Sequence, residues 1–232
     1  MEDKNYCYKY PHPCVAVDGV VFGFDGLKLN VLLIKRGQER HVGEWALPGG
    51  FLHEDETAED GVRREVEEET GLVDNFTKQF GVYTDPKRDF SDGARVISIA
   101  FFTLVKNQEV KGGDDAKHAE WFALDKVPSL AFDHEKILRD AQKVLREKIH
   151  FEPIGFDLLP EKFTMKELQA LYEAILEVKF DRSNFAKKMT SLNILTMLDE
   201  TVWPTPKREA HLYTFNKDSY EEMKQKGFRL EF

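Results

Sequence analysis

Apolar positions recur along this chain with two spacings that take turns. Val15 to Phe24 and Leu27 to Lys35 are apolar or β-branched runs joined by Asp25-Gly26, which predicts two strands closed by a hairpin. Arg95 to Val105 reads as another long strand and Glu120 to Leu124 as a shorter one. From His134 to Ile149 the apolar residues stand at Ile137, Leu138, Ala141, Val144, Leu145 and Ile149, a helical period. Strands and helices therefore alternate until about residue 150.

The pattern changes at Phe151-Glu-Pro-Ile-Gly-Phe-Asp-Leu-Leu-Pro160, whose two prolines and one glycine suit an ordered linker, 151–160, rather than an element interior. Beyond it Thr164 begins a helix through Glu177, with Leu168, Leu171, Tyr172, Ile175 and Leu176 as its core stripe. A tight Val-Lys-Phe turn leads into a second helix from about Asp181 to Leu192. Ile194 to Leu198 and Ala210 to Phe215 then predict two strands on either side of the tip Trp203-Pro-Thr-Pro-Lys-Arg208. Residues 161–232 thus read as a small α+β unit, a helix-turn-helix with a wing.

Between the strands at 27–35 and 95–105 lies a segment of a different kind. Gly50 to Leu72 fits Gly-x5-Glu-x7-Arg-Glu-U-x-Glu-Glu-x-Gly-U, with U aliphatic, at every fixed position. At average composition a match at a given start has odds on the order of 10⁻¹⁰ to 10⁻⁹. Thr57 with Asp60 resembles a capping box and Gly71 stands where a left-handed C-terminal cap belongs, which predicts a helix over Thr57 to Thr70. On that helix Glu65, Glu68 and Glu69 project from one face at i, i+3 and i+4, while Val62 and Val66 form a separate stripe toward a sheet. Gly61 in its interior is a blemish worth about 1 kcal/mol relative to alanine.

Three carboxylates at that spacing repel one another, so a cation is expected among them. Hard oxygen ligands select Mg²⁺ or Mn²⁺, which keep waters and accept phosphate oxygens, and the expected substrate is a phosphate chain. Glu65, Glu68 and Glu69 are accordingly the candidate metal-ligating and catalytic acids, with the Gly50 carbonyl as a further metal ligand. Gly49 and Gly50 permit close backbone approach to a ligand. Arg64 is placed to orient a box glutamate, Glu56 foremost. Outside the box Arg36, Arg88 and Arg95 are candidates for phosphate or ribose contact, because guanidinium groups grip phosphate bidentately. His134 fits a pocket-facing residue or a hydrogen-bonded histidine at a helix start.

Length and composition narrow the classes. At 232 residues and 41% hydrophobic the chain can build one or two cores, and no run approaches the roughly 18 apolar residues of a membrane helix. The amino terminus lacks the basic start and apolar run of a signal peptide, so a cytoplasmic place is expected. Cys7 and Cys14 lie in no paired motif and receive no role. The net charge of -9 argues against a uniformly basic nucleic-acid binder. Residues 151–232, however, hold 12 Lys and Arg against 14 Asp and Glu, while residues 1–150 hold 21 against 28. Within the second part Lys179, Arg182, Lys187 and Lys188 cluster around Asp181, and Lys207, Arg208 and His211 collect at the wing. Such cations serve either as a solvated helix face or as contacts to a DNA backbone, with Ser183 and Asn184 placed to reach base edges.

The combination resembles the Nudix-related transcriptional regulators, in which a Nudix domain is fused to a C-terminal winged helix-turn-helix. Besides the box the resemblance rests on Leu130-Ala-Phe-Asp-His-Glu135, on Glu152 to Pro160, on Phe163 to Leu176 and on Asp181-Arg-Ser-Asn-Phe-Ala-Lys-Lys188, and it covers nearly the full length. It implies a Nudix fold over residues 1–150, a mixed sheet sandwiched between helices, a homodimer on a double-stranded, palindromic operator, and a sensor half responsive to ADP-ribose or a related NAD intermediate. Many of those regulators have eroded box glutamates, whereas Glu65, Glu68 and Glu69 all stand here, so Mg²⁺-dependent hydrolysis of a nucleoside diphosphate-linked compound is also expected. The competing expectation is a hydrolase of the ADP-ribose pyrophosphatase type whose C-terminal domain serves dimerisation or gating.

Overall fold

The structure, a computed structural model, describes residues 9–37, 40–73, 77–88, 90–91, 94–106, 108, 110, 116–205 and 208–226. Its larger sheet is built on β1 (Cys14–Phe24), β2 (Leu29–Arg36), β3 (Trp45–Ala46), β4 (Gly49–Phe51), β5 (Thr77–Tyr83), β6 (Phe90–Ser91), β7 (Ala94–Lys106) and β8 (Ala116–Ala123). The strands run in the order β3-β2-β1-β7-β5, with β4 also on β1, β8 on β2 and β6 on β7. β1 and β7 are parallel along the whole length of β1, while every other pair is antiparallel.

β1 changes partner along its length. Phe22 to Phe24 pair with β2, whereas Ala16 to Asp18 pair with β4, which carries Gly49 and Gly50. The start of the glycine-glutamate motif is thereby stitched into the middle of the sheet. The β1–β2 connection is longer than the two residues expected from Asp25-Gly26. Asp25 Oδ1 accepts from the amides of Leu27 at 2.8 Å and Lys28 at 2.7 Å, so four residues make the turn.

Helices cover both faces. α1 (Ala58–Thr70) lays Val62 and Val66 on Val17, Val21, Leu32, Ile34 and Phe101. On the other face α2 (His134–Lys148) buries Ile137, Leu138, Ala141 and Leu145 against Val20, Phe22, Leu33 and Phe102. This second core continues without a break through Leu158, Leu159 and Phe163 into Leu168, Leu171, Tyr172, Phe185 and Met189. The last group belongs to α3 (Met165–Leu176) and α4 (Arg182–Ser191), the helix-turn-helix pair. The linker segment is itself ordered, a 3-10 helix over Ile154–Leu158.

A three-stranded sheet, β10 (Leu195–Thr205), β11 (Arg208–Phe215) and β9 (Phe163–Thr164), follows in the order β10-β11-β9, and α5 (Lys217–Gln225) comes last. The wing strands are longer than their apolar runs, so Trp203 and Arg208 stand within strands rather than at a tip. β8 begins at Ala116, ahead of its predicted start. β5, β6 and α5 have no counterpart in the hydrophobic pattern. Among the described strands β5 pairs with β7 alone, across a bulge between Gln79 and Gly81, and all its side chains but Tyr83 are half exposed or exposed. α5 buries Tyr220 at 8% exposure, too little apolar surface to register as a period.

Candidate functional site

α1 is built as its residues dictate at both ends. Thr57 Oγ1 accepts from the Asp60 amide at 3.2 Å, and Gly71 closes the helix at φ 73°. The Asp60 carboxylate takes the Thr57 hydroxyl at 2.6 Å, so the cap is a side-chain pair on a single backbone bond.

The motif's polar residues converge on Arg64. Its Nε lies 3.0 Å from Glu56 Oε2 and its Nη2 2.8 Å from Glu56 Oε1, a bidentate grip. Nη1 donates to Glu65 Oε1 at 2.8 Å and to Glu68 Oε2 at 3.0 Å, and Nη2 also reaches the Phe51 carbonyl at 3.2 Å. The guanidinium holds the Glu56 carboxyl down to about 2, and Glu56 accepts the His53 amide at 2.8 Å as well. Burial pushes the Glu65 carboxyl up, against the pull of Arg64.

Glu69 reaches the same glycine pair that Glu65 abuts, from deeper in the protein. It is buried, and its Oε2 accepts the Gly49 amide at 2.9 Å. The two glycines are required by space. A Cβ on Gly49, whose φ is 156°, would stand 2.2 Å from the Val17 carbonyl oxygen, and one on Gly50 would stand 2.3 Å from Glu65 Oε1. The Gly50 backbone therefore abuts the Glu65 carboxylate.

Three carboxylates thus surround one guanidinium, a fourth holds the Gly49 amide beside them, and all the metal-binding atoms on offer are oxygens. Among the described residues no three acids already face a common point, because Arg64 spans Glu65 and Glu68. A divalent cation fits this donor set once Nη1 yields those two acids, since Arg64 keeps Glu56 through its other edge. The 43% exposure of the Glu68 side chain leaves it free to swing.

The arginines outside the motif fall differently. Arg36 stacks its guanidinium 5.0 Å over the Phe132 ring and donates through Nε to the Arg40 carbonyl at 2.8 Å. Arg88, expected at the ligand, is instead buried at 4% exposure. It grips Asp133 at 2.8 and 3.0 Å and lies 3.4 Å from Asp18. Desolvating a cation demands such partners, and they consume its fork. Arg95 also turns inward, donating through Nη2 to the Thr84 carbonyl.

Sequence reasoning missed the buried network to which Arg88 belongs. Asp18 on β1 receives the Ser98 hydroxyl and the Arg88 guanidinium, and lies 3.4 Å from His134 Nε2. His134 Nδ1 accepts the Leu47 amide at 3.0 Å. The detectable signal was a lone Asp in an otherwise apolar strand run, Val15-Ala-Val-Asp-Gly-Val-Val21.

In the second half α4 is held by Phe185 and Met189, both buried, and by its N-cap Asp181, whose Oδ1 accepts the Asn184 amide at 2.9 Å. Arg182, Ser183, Asn184 and Lys187 are exposed and Lys188 half-exposed. Lys179 is 89% exposed and donates to Glu173 at 2.7 Å. The same Glu173 accepts the Phe180 amide at 3.0 Å, so the α3–α4 turn is fastened. His211 on β11 stands exposed opposite Thr201, Arg208 lies at the start of that strand, and Lys207 falls outside the described residues.

Comparison with known proteins agrees with this layout. The family model of the NUDIX domain matches residues 12–141, and that of the NrtR DNA-binding winged helix domain matches residues 155–215. The chain is similar to the "ADPR responsive transcriptional repressor NtrR" of Acinetobacter baylyi, 30% identical over 220 residues, covering 91% of this chain and 86% of that protein. It is 49% identical to the "ADP-ribose pyrophosphatase" of Methanocaldococcus jannaschii over 131 residues, 56% of this chain and 74% of that one. Among solved structures it resembles Shewanella oneidensis NrtR complexed with a 27mer DNA, with a TM-score of 0.76 and 26% identity over 93% of this chain and 97% of the other.

Proposed function

The chain belongs to the NUDIX family and carries an NrtR-type winged helix, and from that premise we propose that it is a DNA-binding transcriptional repressor that responds to ADP-ribose and retains diphosphate hydrolysis. The observation that carries the proposal is the union, in one chain, of a complete acid set around Arg64 with an exposed polar and basic face on α4. We divide the chain into a sensor unit over residues 1–150, a linker over 151–160 and a DNA-binding unit over 161–232, acting as a homodimer on a two-fold operator.

In this reading Glu65, Glu68, Glu69 and the Gly50 carbonyl hold Mg²⁺ or Mn²⁺. When bound, the metal lowers the pKa of a water and neutralises charge on the departing phosphate. Arg64 keeps Glu56 ionised and fixed, so this acid stays a hydrogen-bond acceptor for Arg64 and the His53 amide. Glu69 holds the Gly49 amide and with it the loop that faces the diphosphate. Arg36 is the outlying guanidinium still placed for a phosphate or the ribose.

On the DNA side Arg182, Lys187 and Lys188, with Lys179, Arg208, Lys207 and His211 at the flanks, contact phosphates. Ser183 and Asn184, at the start of the recognition helix, face base edges. The identity to an ADP-ribose pyrophosphatase across the sensor half supports retained turnover.

Two measurements test the reading together. The purified protein binds an operator fragment with an affinity that falls steeply with salt, and ADP-ribose releases it. Glu68→Gln abolishes Mg²⁺-dependent release of AMP from ADP-ribose. Operator binding indifferent to ADP-ribose refutes the sensor role; an unchanged rate in Glu68→Gln refutes the box as the hydrolytic site. Turnover without binding to any operator leaves a hydrolase whose second unit only dimerises or gates.

A further inference from the structure

His134 has no part in the site as so far described, yet it is among the most deeply buried polar residues of the chain, at 5% exposure. It opens α2, where a side chain ordinarily caps its own helix. Here it does not, and neither does the N-cap Asp133, whose carboxylate is held by Arg88. Instead His134 Nδ1 accepts the amide of Leu47, 87 residues earlier, at 3.0 Å. A backbone amide only donates, so Nδ1 is the unprotonated nitrogen and Nε2 carries the hydrogen, aimed at Asp18 Oδ1 3.4 Å away.

The target of that bond matters. Leu47 is two residues before Gly49, and the segment between them is tied at each residue. Pro48 gives its carbonyl to the Gly19 amide at 2.8 Å, and Gly49 pairs with Asp18 in the sheet and gives its amide to Glu69 at 2.9 Å. Asp18 is held in turn by Ser98 and Arg88. The loop is therefore clasped from the front by an acid of α1 and from behind by His134 and Asp18. With Gly50 packed against Glu65 so closely that a methyl group has no room, a shift of the loop by a few tenths of an ångström is felt at the acids.

We propose that His134, oriented by Asp18, is the positioning residue of the Leu47–Gly50 loop, setting the backbone that a diphosphate meets beside Glu65 and Glu69. Its role is to accept one amide proton, and it touches no substrate. The assignment rests on the reading of this site as an ADP-ribose site. The loop geometry can nevertheless be measured without any ligand.

The test compares His134→Asn, His134→Gln and His134→Ala in the full-length protein. An Asn amide oxygen falls near the place of Nδ1, whereas a Gln amide reaches toward the place of Nε2. Amide hydrogen exchange over Leu47 to Phe51 is read without ligand, and ADP-ribose affinity is read by calorimetry with Mg²⁺. Asn is expected to stay within about twofold of the parent in both, while Gln and Ala exchange about tenfold faster and bind about tenfold more weakly, the scale of one buried hydrogen bond. Equal behaviour of Asn and Gln, unchanged exchange in Ala, or failure of the Asn variant to fold overturns the proposal. If Ala alone fails to fold, the Asn and Gln pair still decides. If the parent binds no ADP-ribose, the functional reading fails and hydrogen exchange alone judges the positioning role.

Discussion

At the scale of single residues, this site depends on how the cations are spent. Arg64 serves three carboxylates at once, and only a planar fork can hold Glu56 by one edge while its remaining nitrogen reaches Glu65 and Glu68. Arg64→Lys keeps the charge and loses the fork. We expect Mn²⁺ affinity, read by electron paramagnetic resonance, to fall about 10- to 100-fold, the scale on which outer partners of a metal site act, here through the fixed Glu56 beside the metal ligands. Unaltered affinity would show that Glu56 needs no such orientation. His134 yields a pH prediction of definite sign. Burial lowers its pKa, so the unfolded chain takes up a proton near the ordinary 6.5 that the folded chain refuses. Stability from this group is full above about pH 7 and is lost as the pH falls below it, by at most about 1.4 kcal/mol per pH unit. Urea midpoints at pH 7.5 and 5.5 should differ more in the parent than in His134→Asn, and equal differences contradict the account.

At the scale of elements, Gly61 shows where a propensity argument stops. As a glycine inside α1 it predicts a gain of about 1 kcal/mol on substitution by alanine. A Cβ there, however, would stand 2.8 Å from Leu52 Cδ1 and 3.0 Å from Glu56 Oε1. Leu52 must move, and Glu56 is fastened to Arg64 and cannot follow cheaply. Overpacking of this kind costs about 1 to 3 kcal/mol, so Gly61→Ala should destabilise by about 1 kcal/mol in denaturant titration, and a stabilised variant would show that Leu52 yields freely. The same contrast explains what was legible. α1, α2, α3 and α4 announce themselves through apolar stripes and caps, and the complete capping box of Thr164 and Glu167 marks the start of α3. The box acids are legible because their spacing is local to one helix. The Asp18, Ser98, Arg88, Asp133 and His134 network is not, because β1, β7, a loop and α2 each supply part of it and no sequence period joins them. Arg88 therefore reads as a phosphate ligand until its partners are seen. β5 and α5 escape for a simpler reason, since each buries too little apolar surface to leave a pattern.

For the molecule as a whole, the physical question is whether the two units that the family models divide also unfold separately. The core on the α2 face says they do not, since Val20, Phe22 and Leu145 belong to the same contiguous cluster as Leu168, Tyr172 and Phe185. Polar contacts close the same seam. Arg146, in the last turn of α2, donates through Nε to the Ile175 carbonyl at 3.1 Å and pairs with Glu177, the left-handed residue that ends α3. Lys78 and Lys148 share Glu152 at 2.9 and 3.3 Å, tying β5 and α2 to the linker. Opening this seam would expose apolar side chains from both sides, so neither half gains from unfolding alone. Scanning calorimetry should give a single transition whose calorimetric and van't Hoff enthalpies agree. ADP-ribose at 100 times its dissociation constant then stabilises the entire chain by about 2.7 kcal/mol, which for a protein of this size raises that one transition by about 5 to 10 °C. Two transitions, with only one moved by ADP-ribose, would mean that the seam is too weak to join the units. With one transition, a ligand bound at the acids of α1 and DNA bound by the winged helix would act on the same folded body, in which α2 contacts both units, through His134 and Leu47 at its start and through Arg146 and the Ile175 carbonyl in its last turn.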